Sequence, residues 1–331
     1  MATKSSNQNL HDAKTAKKDE FYTQLSDIEK ELKHYKEHFK DKVVLCNCDD
    51  PRVSNFFHYF SFNFEQLGLK KLIATCYKNQ NIDLFSEHTS EQAIYLEYYG
   101  DKNGNNVPDA DEIGIKHLKG DGDFRSRECI ELLKQADIVV TNPPFSLFRE
   151  FVAQLVKYDK KFLIIGNLNA VTYIDVFKLI KENKLWLGAS IHSGDREFGV
   201  PDDYPLESAG NRIDSDGKKY IRVKGVRWFT NLDYTERHED LILCKKYNSE
   251  EYPKYDNYDA INVDKTNDIP LDYNGIIGVP ITFMDKYNPV QFEIVGCNRG
   301  VDQDPNKIYG RGSFLNGKET FKRLFIRNKK I

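Results

Sequence analysis

Between residues 42 and 190, short apolar runs alternate with segments whose apolar residues recur at helical spacing. "KVVLCN" (42–47) reads as a buried strand. After it, Val53, Phe56, Phe57, Phe60, Phe64 and Leu67 share one helix face, with Gly68 as the stop. "KKLIATCY" (70–77) is a second strand. "FRSRECIELLKQA", "SLFREFVAQLVKY" and "VTYIDVFKLIKEN" read as helices, with the strands "DIVVTN", "KKFLIIGN" and "KLWLGAS" between and after them. Such alternation implies an α/β fold with a doubly wound, mostly parallel sheet and helices on both faces. "AIYLEYYGDKNGNNVPDADEIGIKHL" interrupts it with two short strands around an Asn-Gly turn. Within that stretch Asp101, Asn103, Asn105, Asp109 and Glu112 fall at calcium-loop spacing, but Asn106 stands where the loop needs glycine, so a hairpin turn is the better reading.

The alternation stops near 190. From "HSGDREFGVPDDYPLESAG" onward the chain is turn-rich, charged and rich in tyrosine, with short strands such as "IRVKGVRWFTNL". We therefore expect a mobile basic arm at 1–18, one α/β domain at 19–190 and an irregular, β-containing region at 191–331. A chain of 331 residues with 40% hydrophobic content can bury a core of that size. It holds no apolar run near the roughly 20 residues a membrane helix requires, and its first residues lack an apolar signal segment. A cytoplasmic, membrane-free protein is expected. The six cysteines form no C-x-x-C pair and have no histidine cluster beside them, so they read as reduced apolar residues and no metal is expected. Cys46 and Cys48 would alternate along the first strand. The net charge of −3 excludes an overall basic coat, yet residues 299–331 carry nine Lys/Arg against three Asp/Glu, and 212–227 carry six against two. Polyanion binding would be local, on the C-terminal half.

One junction carries chemistry. In "ADIVVTNPPFSLFREFVAQL" (136–155) a buried strand ends in Asn142-Pro143-Pro144-Phe145 before a helix begins. Adjacent prolines occur by chance roughly once per 400 positions. Flanked by Asn and an aromatic at a strand end, they are rarer still. Two fixed φ angles and two missing N–H groups stiffen the loop and leave carbonyls pointing outward. Asn142 adds an amide oxygen and Phe145 a flat apolar face. This array suits a planar ring with an exocyclic amino group: two acceptors hold the two hydrogens, and the ring stacks on Phe145. An amino nitrogen held so is readied for attack on a strong electrophile such as a methyl sulfonium.

Asn-Pro-Pro-Phe after an apolar strand resembles the catalytic motif of S-adenosylmethionine-dependent amino-methyltransferases. Over nearly its whole length the chain resembles the EcoRI-type adenine DNA methyltransferases. "KDEFYTQ" (18–24), "CNCDDPRVSNFF" (46–57), "GDGDFRS" (120–126), "DIVVTNPPFSLFRE" (137–150), "VRWFTNLD" (226–233), "PKYDNYDAIN" and "IPLDYNGIIGVPITFMDKYNPVQFEI" carry the likeness. The resemblance implies a Rossmann-like methyltransferase fold with a C-terminal DNA-recognition region. It implies transfer of a methyl group to N6 of a flipped-out adenine in duplex DNA. By it, Phe21, Tyr22 and Thr23 line the methionine end of the cofactor, Asp49 and Asp50 lie in its site, Tyr77 covers its adenine, and Asp123 and Phe124 contact that adenine. Asp123 also reads as the N-cap of the following helix. The chain departs from the usual pattern twice: "CNCDDPRVSN" has no glycine, and the second strand ends "ATCYK" with no carboxylate.

A flipped base needs a grip on the duplex. Lys218, Lys219, Arg222, Lys224 and Arg227 are candidates for phosphate or base-edge contact, as are the cations from Lys318 to Lys330. Trp228 either packs on the flipped base or belongs to the core. We expect a monomer on double-stranded DNA, in a restriction–modification or phage setting, any cognate restriction enzyme acting separately. The rivals are an amino-methyltransferase on RNA guanine or protein glutamine, and a DNA-binding protein that kept the fold without catalysis.

Overall fold

The structure is a computed structural model that describes residues 21–48, 54–76, 93–105, 108–109, 112–192, 194–200, 204, 211–300 and 308–331. The expected basic arm, 1–18, lies outside the described residues. Two compact units form, and they do not follow a single break near 190. The described residues up to Asn167 group with those from 194 to Leu232, while Leu168–His192 groups with Asp233–Ile331. The physical reason is strand pairing: residues 195–230 bond to strands of the N-terminal part.

The first unit contains strands β1 (Tyr22–Thr23), β2 (Val43–Asn47), β3 (Lys71–Thr75), β4 (Ile94–Tyr98), β5 (Gly114–His117), β6 (Ile138–Thr141), β7 (Lys161–Asn167), β8 (Asp195–Val200), β9 (Arg212–Ile213), β10 (Lys219–Lys224) and β11 (Val226–Thr230). Its helices are α1 (Leu25–Leu32), α2 (Asn55–Phe62), α3 (Phe64–Leu67), α4 (Arg127–Gln135) and α5 (Phe148–Lys157). Within the unit the large sheet runs β5-β4-β3-β2-β6-β7-β11. Its centre is parallel: β2 pairs with β3 and β6, and β6 with β7. Both flanks are antiparallel, at β3–β4–β5 and at β7–β11. The sheet is therefore mixed and not mostly parallel. Among the described residues no helix separates β4 from β5, which pair antiparallel as a hairpin. In its loop, Glu112 Oε1 accepts from the N–H groups of Lys102 (2.6 Å) and Asn103 (3.2 Å), and Asp101 Oδ1 from Gly104 (2.7 Å).

The central strands are buried along their full length, as expected for a sheet covered on both faces. The long aromatic helix expected after β2 is broken at Asn63 into α2 and α3, and Gly68 (φ +61°) stops the second as a left-handed C-cap. A smaller antiparallel sheet, β1-β8-β10-β9, forms beside the site described below. Gly225 (φ +70°) breaks "IRVKGVRWFTNL" in two, sending β10 to the small sheet and β11 to the large one.

In the second unit, α6 (Ile174–Lys181) accompanies the strands β12 (Ala260–Asn262), β13 (Ile276–Pro280), β14 (Phe292–Cys297) and β15 (Arg323–Asn328), in sheet order β12-β13-β15-β14. The "KLWLGAS" strand shrinks to the extended pair Trp186–Leu187. The basic C-terminal stretch is not a frayed tail: β15 sits between β13 and β14, and Leu324, Phe325 and Ile326 are fully buried.

Candidate active site

The chain runs from β2 to β3 on one side and later enters β6 on the other side of β2. That reversal opens a crevice at the carboxyl ends of β2 and β6, the place where open α/β sheets bind ligands. Asn47 ends β2, and Thr141 ends β6 with Asn142 directly after it. The Thr141 hydroxyl donates to the Asn47 carbonyl, which ties the two strand ends together.

Asn142 is buried, 6% exposed. Its Nδ2 donates to the Phe21 carbonyl (2.6 Å). A carbonyl can only accept, so this bond sets the amide's orientation and leaves Oδ1 outside it. That oxygen is buried with no hydrogen-bond partner. The Pro144 carbonyl is taken by Leu147 N–H (2.9 Å), whereas no hydrogen bond reaches the Pro143 carbonyl among the described residues. A buried acceptor without a donor costs free energy, about 1–3 kcal/mol, unless a ligand supplies one.

Phe145 is half-buried. Its ring meets Phe21 edge-on at 5.8 Å and Phe198 at 6.5 Å, and Phe21 in turn meets Tyr204 at 6.2 Å. Phe198 arrives on β8, paired opposite Thr23. Asn55, at the start of α2, donates to the Thr23 carbonyl at 2.7 Å. Thus 21–23, α2, β8 and the proline loop are joined around one aromatic box. Two more buried oxygens have no partner: Thr23 Oγ1 and Asn47 Oδ1. Asn47 and Asn55 lie in the 46–57 stretch but are not singled out there, and Phe198 and Tyr204 carry no periodic or motif signal that would have marked them. They reach the site only through pairing between distant segments.

Of the residues expected at the cofactor, Phe21 and Thr23 are buried beside Asn142, and Tyr22 is half-buried between them. Asp49, Asp50 and Tyr77 lie outside the described residues. Asp123 does not cap α4; Ser126 does, accepting from Cys129 N–H (3.2 Å). The Asp123 carboxylate is bound by Arg125, with Nε at 2.9 Å and Nη2 at 2.7 Å, which holds its pKa below the ordinary aspartate range. Phe124 is buried against Phe151 at 5.0 Å, and its carbonyl accepts from Gln154 (3.0 Å). Gly122 (φ +79°) abuts the Cys76 carbonyl so closely that no side chain fits, which brings this loop to the end of β3. Cys48 does not alternate with Cys46. The strand ends at Asn47, and Cys48 turns left-handed at φ +83°, a conformation usually given to glycine.

Lys218, Arg222 and Lys224 are exposed and Lys219 half-buried along the small sheet. Arg227 and Trp228 are not surface groups: at 3% and 1% exposure they belong to β11 inside the large sheet, with Trp228 edge-on to Phe56 at 6.0 Å. Gly225 separates them from the cationic strand, so they leave the set of DNA contacts. Arg323 is likewise buried, paired with Asp264 at 2.8 Å.

Residues 9–330 match the family model described as adenine-specific methyltransferase EcoRI. The chain belongs to the EcoRI family of adenine-specific methyltransferases. It is 55% identical, over all of its length and 99% of the relative's, to the type II methyltransferase M.EcoRI of Escherichia coli. It is 40% identical to the type II methyltransferase M.MgeORF184P of Mycoplasma genitalium, covering 96% and 98% of the two chains. With M.MpnI of Mycoplasma pneumoniae it shares 43% identity over 86% and 84%. No solved structure matches the chain.

Proposed function

We propose that this site-specific adenine DNA methyltransferase moves a methyl group from S-adenosylmethionine to N6 of an adenine turned out of duplex DNA, on a Rossmann-like methyltransferase sheet. The observation that carries this reading is the buried, unpartnered Oδ1 of Asn142 beside the half-open ring of Phe145. Asn142 Oδ1 and the Pro143 carbonyl each accept one hydrogen of the amino group. Phe145 stacks on the ring, a contact worth about 1–3 kcal/mol. Held by both hydrogens, the nitrogen gains tetrahedral character, and its lone pair is released from the ring. The attack needs no prior deprotonation, because the proton becomes acidic only as the nitrogen takes on positive charge. The contribution of the protein is orientation and fixed dipoles.

The residues present fit the cofactor. Thr23 Oγ1 and Asn47 Oδ1 are further buried polar atoms lacking partners, and Phe21 supplies an apolar wall. Phe21, Tyr22, Thr23, Asp49, Asp50, Tyr77, Asp123 and Phe124 are assigned to hold it. Bound S-adenosylmethionine supplies the electrophilic methyl group. The glycine missing after β2 is replaced in function by the left-handed Cys48. Lys218, Lys219, Arg222 and Lys224 are assigned to the DNA backbone. We read the protein as a cytoplasmic monomer, with any cognate restriction enzyme separate, as the type II names of its relatives suggest. The N-terminal sheet then carries catalysis, and much of the C-terminal part recognises DNA.

Tritiated methyl transfer to duplex DNA, followed by nucleoside analysis, tests this. Asn142→Ala is expected to lower kcat by at least about 100-fold, as for loss of one preorganised polar group, while DNA binding largely persists. Retained N6-methyladenine formation by that variant would refute the mechanism. Parallel RNA and glutamine-peptide acceptors should take up no label.

A further inference from the structure

On β8, Arg196 and Phe198 lie two residues apart, so they share a face of the strand and sit about 7 Å apart. Phe198 is a wall of the aromatic box around Phe145. Across the pairing with β10 their partners are Val223 and Ile221, both buried. Arg196 therefore stands on the inward face of the small sheet, next to the catalytic loop. A guanidinium held there ordinarily has a carboxylate partner. Arg196 makes no ion pair among the described residues. Its Nη1 donates to the adjoining Asp195 carbonyl (3.2 Å), and its Nε is buried without a hydrogen-bond partner. The neighbouring Glu197, opposite Arg222 in the pairing and 3.9 Å from its Nε, is bound more closely by Arg212 at 2.6 Å.

Arg196 also lines an open groove of about 630 Å³, together with Gln24, Ser26, Asp27, Asp195, Glu197 and Arg222. Gln24 follows β1 directly, so the groove begins where the segment that carries Phe21 and Thr23 ends. We propose that Arg196 binds a backbone phosphate of the nucleotide turned into the site, with Arg222 on the neighbouring backbone at the groove mouth. This rests on the reading of the site as an adenine N6 DNA methyltransferase. The guanidinium fork matches a phosphate's paired oxygens. A base held at Asn142 and Phe145 brings its own phosphates within one nucleoside's length, the span that separates Arg196 from the box. A groove of this size and openness takes a run of sugar and phosphate, more than a lone ion needs. The role is positioning: the phosphate grip keeps the base in the box.

The test uses the full chain, with duplex DNA bearing the methylated site mapped for the wild-type protein and 2-aminopurine at the target adenine. Arg196→Ala should weaken DNA binding roughly tenfold and make the log–log salt slope shallower by about one. Its 2-aminopurine signal should fall, and affinity for S-adenosylmethionine should stay at the wild-type value. Arg196→Lys should restore the slope but only part of the affinity, which also covers the case in which the alanine variant folds poorly. A neutral methylphosphonate at one phosphate flanking the target should weaken the wild type as much as Arg196→Ala does, with no further loss when the two are combined. Additive losses at every phosphate would overturn the proposal. So would a variant that loses cofactor affinity and keeps DNA affinity, since the group bound would then be the cofactor's carboxylate. A wild-type protein that methylates no duplex adenine would instead refute the functional reading beneath it.

Discussion

At Cys48 a residue with a Cβ occupies φ +83°, a conformation that costs about 1–3 kcal/mol outside glycine. Cys48→Gly should raise the melting temperature and Cys48→Val should lower it, read by thermal denaturation of the purified chain. Trp228 separates the two roles considered for it. Its ring is 1% exposed and its Nε1–H is buried without an acceptor. Trp228→Ala should cost about 3–5 kcal/mol as a core cavity. Trp228→Phe should cost less, because it also removes an unpaired donor. Neither should change the salt slope of DNA binding in a soluble variant. Asp123 gives a pH test. Arg125 holds its folded pKa below the ordinary value, so its stabilisation is present at neutral pH and is lost as pH falls through the folded value. The stability gap between wild type and Asp123→Asn, about 1 kcal/mol at this part-exposed pair, should shrink on acidification below the usual aspartate range. Equal gaps at neutral and acid pH would contradict it. The Asn-Pro-Pro-Phe loop could be singled out because its stiffness is local: two prolines constrain their own loop whatever surrounds them. Phe198 and Tyr204 were not, because nothing near them in sequence points to the loop they pack on.

The proline loop is held through α5. Phe148, its first residue, packs on Phe229 of β11 at 5.0 Å and on the backbone of β7 at Gly166. A Cβ at Gly166 would sit 2.8 Å from Phe148 Cζ, so Gly166→Ala must push the helix start away. We expect a loss of about 1–3 kcal/mol in stability and a lower kcat, with DNA affinity near wild type, since the displaced group is the loop and not the cationic strand. Urea denaturation and steady-state methyl transfer check the two parts. The strands and helices of 42–167 could be read from apolar periodicity, because each buries a face whose spacing its own residues set. The β4–β5 hairpin could be read, but not its antiparallel pairing with β3 or that of β11 with β7, and these made the sheet mixed. The single glycine at 225 decided that the basic strand and the Trp228 strand belong to different sheets, since its left-handed turn re-aims the chain between them.

For the whole molecule, the basic C-terminal stretch contains a structural strand, β15. Ending the chain at Phe321 would remove β15 from between β13 and β14 and should unfold the second unit, visible as lost circular dichroism amplitude and a missing thermal transition. A purely solvated tail would leave both intact. The full chain should bind DNA with a steep salt dependence, as the phosphate contacts proposed for the exposed cations of the small sheet require. By itself the sequence determined the parallel α/β centre, the stiff loop at residues 142–145 and the family, because periodicity, proline stiffness and motif order are properties of short stretches. Only the tertiary structure decided which cations face outward, which aromatics enclose the loop and how residues 168–232 divide between the units. Those outcomes depend on pairings between separate segments, such as Val226 with Asn167 and Thr23 with Phe198, and local residue chemistry does not encode such partners.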